Sequence, residues 1–478
     1  MLAAAGLCTV EVCATSYRGH SFLQAEKESV APASGAAKSD ELDSITIGTL
    51  AASESSTVLV LGNPNPATDG ELEVTLRSIP ISQGDRRRDS ALVRHVAQRV
   101  SSPSPETVLP TTKSKTTSTQ VPPTERVYFL PTTIQSAQGT TSHVAVPCSL
   151  ATVNSRALIY VDQRIRRDEA LMDLVTAIDS ASTSAMIETV ERLVGSVADL
   201  DHDDHLTIVI TPEVGRLGRQ NSPVYGITRP SDFIRGVDRP HGNNSDVIFL
   251  NSSLPVGKQL HAVLCHEWCH ASVFSRRFEN ADSAKDDRYD EDWLNEAIAH
   301  VVEVASSESD SNVANRIQRY FAQPGKSPLV IRDYCSPEYW RNDTVRGAGY
   351  LFLDWYLKQS DDNRLQRLLG ARSLGVASLE ATAQRSFDEL FKSWTVDLGE
   401  QLAREIRDSE SNGAMSPRIT HHRWKLFAGQ EQTLTLRIGG TCADFVHIQC
   451  SEAGAWQLIA TNSTRAPVQA TLLPVDVQ

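Results

Sequence analysis

Two helix-forming stretches, about residues 258–275 and 293–306, constrain this chain most, because between them they carry His266, Glu267, His270, Glu296, His300 and Glu303. In His266-Glu267-Trp268-Cys269-His270 the histidines are four apart. At 3.6 residues per turn their side chains lie about 40° apart around the axis and can converge on one ion. Glu267 projects beside them, where a carboxylate can take a proton from an activated water without completing the coordination shell. The third ligand decides what kind of site this is.

A histidine six residues after His270, with a glycine between, would complete the metzincin arrangement, but Val273 and Arg276 occupy those places. A carboxylate from the second helix is the alternative. Glu296 lies 26 positions after His270, far enough for a loop to bring the second helix back against the first. Glu296, His300 and Glu303 fall within about 60° on that helix, so the latter two can orient ligands.

HEWCH followed by WLNEAIAHVVE resembles the gluzincin metallopeptidases, whose second motif reads WLNEG with a further Glu seven residues after the ligand. Strand 157–162, the Asp-rich turn before Leu206 and the segment 386–394 are similar to the hyicolysin-type branch, so the resemblance covers roughly residues 126–408. It implies a zincin-like fold, zinc held by His266, His270 and Glu296, Glu267 as catalytic base, and a peptide or protein substrate. Ala297 departs from the pattern, adding a methyl where glycine usually follows the ligand glutamate. No GxMEN pattern, which would hold a substrate's free amine, is present, so an endopeptidase is expected. The competing expectation is an inactive zincin-fold binding or adhesion protein with β modules.

Organisation follows composition. Residues 1–44 read as a signal remnant or disordered tail, 45–100 as a small β-rich unit, and 101–125 as a linker in which 17 of 25 residues are Ser, Thr or Pro. Residues 126–408 alternate strands and helices and then turn mostly helical, whereas 420–478 show short alternating strands that suggest a β-sandwich. The expected class is therefore α+β: a small sheet, an active-site helix and a mostly helical lobe, with β-rich appendages at both ends. The strand 246–251 is expected to pair with an extended peptide if it lies at a sheet edge.

The net charge of −13 argues against nucleic acid as partner, and no run of 18 uncharged apolar residues predicts a membrane span. Residues 279–310 hold 11 Asp and Glu against 2 Lys and Arg, a surplus of 9, read as an acidic rim that attracts metal and basic peptides. Export is favoured over the cytoplasm, with Cys442 and Cys450 either a local disulfide or packed thiols. Tyr350 is the candidate for stabilising an oxyanion, with Tyr334, Tyr339 and Tyr356 as competitors. Cys265 and Cys269 are expected to pack in the core, and His261 to lie at the surface or beside a ligand. The alternating acids Asp199 to Asp204 read as a solvated turn or a loose calcium (Ca2+) site, since Asp204 and Ile210 stand where an EF-hand needs Gly and Glu.

Overall fold

A computed structural model describes residues 44–51, 56–65, 72–81, 122–132, 142–218, 224–279, 291–307, 311–331, 342–360, 363–412, 416–450, 454–462 and 468–475. Among them the fold is mixed α+β with three sheets. The N-terminal part supplies β1 (Ser44–Ala51), β2 (Ser56–Gly62) and β3 (Leu72–Pro80). The middle supplies β4 (Glu125–Pro131), β5 (His143–Val153), β6 (Ala157–Asp162), β7 (Leu206–Thr211), β8 (Gly226–Ile227) and β9 (Val247–Asn251). Helices α1 (Glu169–Ser182) and α2 (Ala185–Val194) link β6 to β7, and the short α3 (Glu213–Arg216) and α4 (Pro230–Phe233) lie between β7 and β9. Then come α5 (Lys258–Glu279), α6 (Asp292–Ser307), α7 (Ser311–Ala322), α8 (Asp343–Lys358), α9 (Arg364–Gly370), α10 (Gly375–Ala383) and α11 (Phe387–Asn412). Five strands follow: β10 (His422–Leu426), β11 (Gln432–Ile438), β12 (Ala443–Cys450), β13 (Ala455–Asn462) and β14 (Gln469–Pro474).

The central sheet has the order β4-β5-β6-β7-β9-β8, with β6, β7 and β9 parallel and the remaining pairs antiparallel. Parallel neighbours need a long crossover, which α1 and α2 provide between β6 and β7. Side chains alternate along a strand, so β6 sends Ala157, Ile159 and Val161 into the helical core and Leu158 and Tyr160 into a smaller core on the opposite face. Both faces being covered explains why β6, β7 and β9 are apolar runs without polar alternation. Strand β9 is internal, covered by the antiparallel β8, so the condition on which 246–251 would pair with a peptide is not met: among the described residues β8 is the edge strand on that side. A two-residue strand gives no periodic signal, which is why the sequence conceals it.

The β-rich ends differ from the expectation of separate appendages. One sheet has the order β1-β13-β3-β11 and the other β10-β12-β2-β14, so strands from both ends of the chain interleave. Strand β2 pairs with β12 and β14, while β3 pairs with β11 and β13. Thus β2 and β3, neighbours in sequence, belong to different sheets, and the described strands of the small β-rich unit 45–100 pair with C-terminal strands rather than with one another. Leu59 and Leu61 of β2 enter the sandwich core, and Val58 and Val60 enter the core containing α11. That second contact joins the sandwich to the helical lobe. No disulfide joins Cys442 to Cys450, and Cys442 is a buried thiol. No described helix is long and apolar enough to cross a membrane.

Gly399 sits where α11 meets the sandwich: a Cβ there would overlap Val60 Cγ2 and lie 2.8 Å from Leu473 Cδ1. Alanine in a helix interior otherwise gains about 1 kcal/mol over glycine, whereas overpacking costs about 1–3 kcal/mol. Gly399→Ala is therefore expected to lower stability in urea unfolding. A gain of stability would mean that the sandwich does not pack on α11.

Candidate metal centre

Helix α5 packs against α6, and their facing surfaces bury charge: His266, Glu267 and His270 are 0% exposed and Glu296 2%. His266 Nε2 lies 3.6 Å from Glu296 Oε2, and His270 Nε2 lies 3.9 Å from Glu296 Oε1. Ligand atoms about 2.0–2.2 Å from a tetrahedral zinc are roughly 3.3–3.6 Å apart, so this spacing is close to what the ion demands. Both Nε2 atoms are buried without a hydrogen-bond partner. Two lone pairs and a carboxylate sharing one interior point form a donor set that zinc fits.

A second cluster of His266, His300 and Glu303 adjoins the first, but it is closed by hydrogen bonds. Glu303 Oε2 stands 3.1 Å from His266 Nδ1 and 3.0 Å from His300 Nδ1, and Oε1 accepts from Asn312 Nδ2 at 2.9 Å. If both Nδ1 atoms donate to Glu303, His266 keeps its Nε2 lone pair for a metal. His300 does not, because its Nε2 is in contact with the Arg316 guanidinium. Spacing on α6 explains the arrangement: Glu296, His300 and Glu303 are one turn apart in succession and share a face.

Charge follows from these neighbours. Burial opposes a proton on His266, but Glu296 and Glu303 on either side raise it to about 9. Burial likewise works against ionised Glu296, yet Arg346, His266 and His270 hold its carboxyl well below the usual range. Arg346 NH2 lies 3.6 Å from Glu296 Oε2. Burial and then Arg316 push His300 down to about 3, leaving it neutral. Burial, helped by the Glu296 charge, carries Glu267 up to about 8 against the pull of His266, Thr228 and Arg346.

Glu267 is gripped from the edge strand. Thr228 Oγ1, one residue past β8, donates to Glu267 Oε2 at 2.6 Å. Gly226 leaves room for the other oxygen, since a Cβ there would lie 2.7 Å from Glu267 Oε1. Thr228, Asn312, Arg316 and Arg346 had no assigned role in the sequence reading. Arg346, four residues before Tyr350, carried the one available signal, a shared helix face.

The other candidates separate clearly. Tyr350 is half-buried on α8, one turn beyond Arg346. Tyr356 is buried and donates its hydroxyl to Leu379 O at 3.0 Å, a structural bond. Tyr334 and Tyr339 lie outside the described residues, as do 1–43 and, within the acidic rim, 280–290 and 308–310. Cys265 and Cys269 are free and buried in the main core, and His261 is exposed. Ala297 packs toward α8, where Gly349 supplies the small residue: a Cβ on Gly349 would lie 3.4 Å from that of Ala297. Of the Asp-rich turn, Asp201 and Asp203 pair with Arg126 at 2.9 and 3.1 Å. Asp199, Asp201 and Asp246 cluster, but with this guanidinium as counter-ion nothing supports calcium there.

No family model matches the chain, and no curated protein matches it. Among solved structures, the chain is similar to a mutant M1 zinc metallopeptidase from Deinococcus radiodurans, with 12% sequence identity and a TM-score of 0.27. The likeness covers 62% of this chain and 64% of that one, so the chain spans less than two thirds of that enzyme's length.

Metal titration distinguishes the two clusters. One zinc per chain is expected by elemental analysis; His270→Ala abolishes it, while His300→Ala keeps one-to-one stoichiometry with affinity about 10–100-fold weaker. The reverse pattern would move the ion to the His300 cluster.

Proposed function

We propose that this chain is a zinc-dependent metallopeptidase of the gluzincin type, close to the hyicolysin branch, with a zincin-like layout and endopeptidase activity. The observation that carries this reading is the buried set His266, His270 and Glu296, with the buried Glu267 carboxyl close enough to feel the charges of His266 and Glu296. The coordinating residues would be these three, and a bound zinc would supply Lewis acidity to a scissile carbonyl and to water. Glu267 takes the water proton and returns it to the leaving nitrogen. Glu303 fixes the His266 ring through Nδ1, and Arg346 offsets the Glu296 charge. Tyr350 is assigned to donate to the carbonyl oxygen as it gains charge.

Substrate access is read from the sheet. An extended peptide adds to an edge strand by main-chain hydrogen bonds, and among the described residues β8 is the edge beside β9. Thr228 ties the end of β8 to Glu267, which supports a scissile bond lying next to the base. The acidic surplus of 279–310 favours basic peptides by long-range attraction.

Cleavage of an N-acetylated peptide library tests the activity. Wild type is expected to cut internal bonds despite the blocked amine; Glu267→Gln keeps its zinc and loses about 100-fold or more in kcat. Zinc binding without any cleavage would leave an inactive binding protein. Cationic peptides are expected to outcompete anionic ones at about 0.01 M salt and to lose that advantage near 1 M. No preference at low salt would reduce the rim to a solvated surface.

A further inference from the structure

We infer that Thr228 is a positioning residue that fixes which oxygen of Glu267 faces the reacting atoms, an inference that rests on the peptidase reading above. Thr228 is 0% exposed, and its Oγ1 lies 2.6 Å from Glu267 Oε2 and 3.2 Å from the Glu267 main-chain oxygen. One hydroxyl proton serves one acceptor, and the shorter contact is the one to the side-chain oxygen. Glu267 Oε1 is buried with no hydrogen-bond partner. The two oxygens are therefore inequivalent before any substrate arrives.

The grip is firm because β8 is held in register by Gly226 opposite Leu250 and Ile227 opposite Phe249. Two residues before Thr228 along the same segment, the absence of a side chain at Gly226 leaves Oε1 its space. Water gives its proton to Oε1 as its oxygen bonds to the carbonyl carbon. When the C–N bond breaks, the same proton passes from Oε1 to the leaving nitrogen. Throughout, Oε2 accepts from Thr228, so the carboxyl need not rotate between the two transfers. The edge strand proposed to receive the peptide is thus also the one that would aim the base.

Valine has the shape of threonine without the donor, and serine keeps the donor without the methyl. Loss of a hydrogen bond to a charged group predicts that Thr228→Val lowers kcat about 10- to 100-fold with KM and zinc stoichiometry unchanged, while Thr228→Ser stays within about threefold of wild type. A readout independent of cleavage is the thermal cycle with Glu267→Leu: Thr228→Val lowers Tm in the wild-type background and loses that effect when Glu267 is gone. Unchanged kcat in Thr228→Val, or equal Tm losses in both backgrounds, would overturn the positioning role. Thermal coupling in a wild-type protein that cleaves no peptide would instead overturn the peptidase reading, and the positioning role with it.

Discussion

Two imidazole Nε2 atoms and a carboxylate buried around one point form the constraint on which this structure turns. Each buried polar atom without a partner costs about 1–3 kcal/mol, so a fold that places His266 Nε2 and His270 Nε2 together needs compensation. A divalent cation offers it, since zinc binding by small sites is worth about 10–16 kcal/mol. The proton drawn to His266 between Glu296 and Glu303 marks the same demand for positive charge.

Around that point, each helix contributes at one-turn spacing. Helix α5 brings His266 and His270, α6 brings Glu296, His300 and Glu303, and α7 brings Asn312 and Arg316. The groups follow outward in the order histidine, carboxylate, neutral histidine, guanidinium. Glu303 serves two imidazoles with one oxygen and Asn312 with the other, which fixes the tautomer of His266 while leaving its outer nitrogen available. The sheet's part is to set β8 and Thr228 against Glu267.

How far this was legible depended on range. Helix α5 and helix α6 could be placed to within a few residues because apolar periodicity and the motif lie in one segment, and strands β6, β7 and β9 declared themselves as apolar runs. The bond from Thr228 to Glu267 could not be read, because it spans 39 residues and starts beside a two-residue strand. The sandwich misled for the same reason: alternation reveals that β2 and β3 are strands, but pairing of Val60 with Phe445 and of Leu76 with Leu434 joins residues more than 350 positions apart. Arg316 and Arg346 look like surface charges in sequence, and burial beside His300 and Glu296 makes them part of the site.

X-ray absorption at the zinc edge of the metal-loaded protein tests the central claim most directly. The account predicts two imidazole nitrogens and carboxylate oxygen at about 2.0–2.2 Å, with no sulfur in the shell. A scatterer at about 2.3 Å would place Cys265 or Cys269 on the metal, and a shell without paired imidazoles would contradict the His266, His270 and Glu296 site outright.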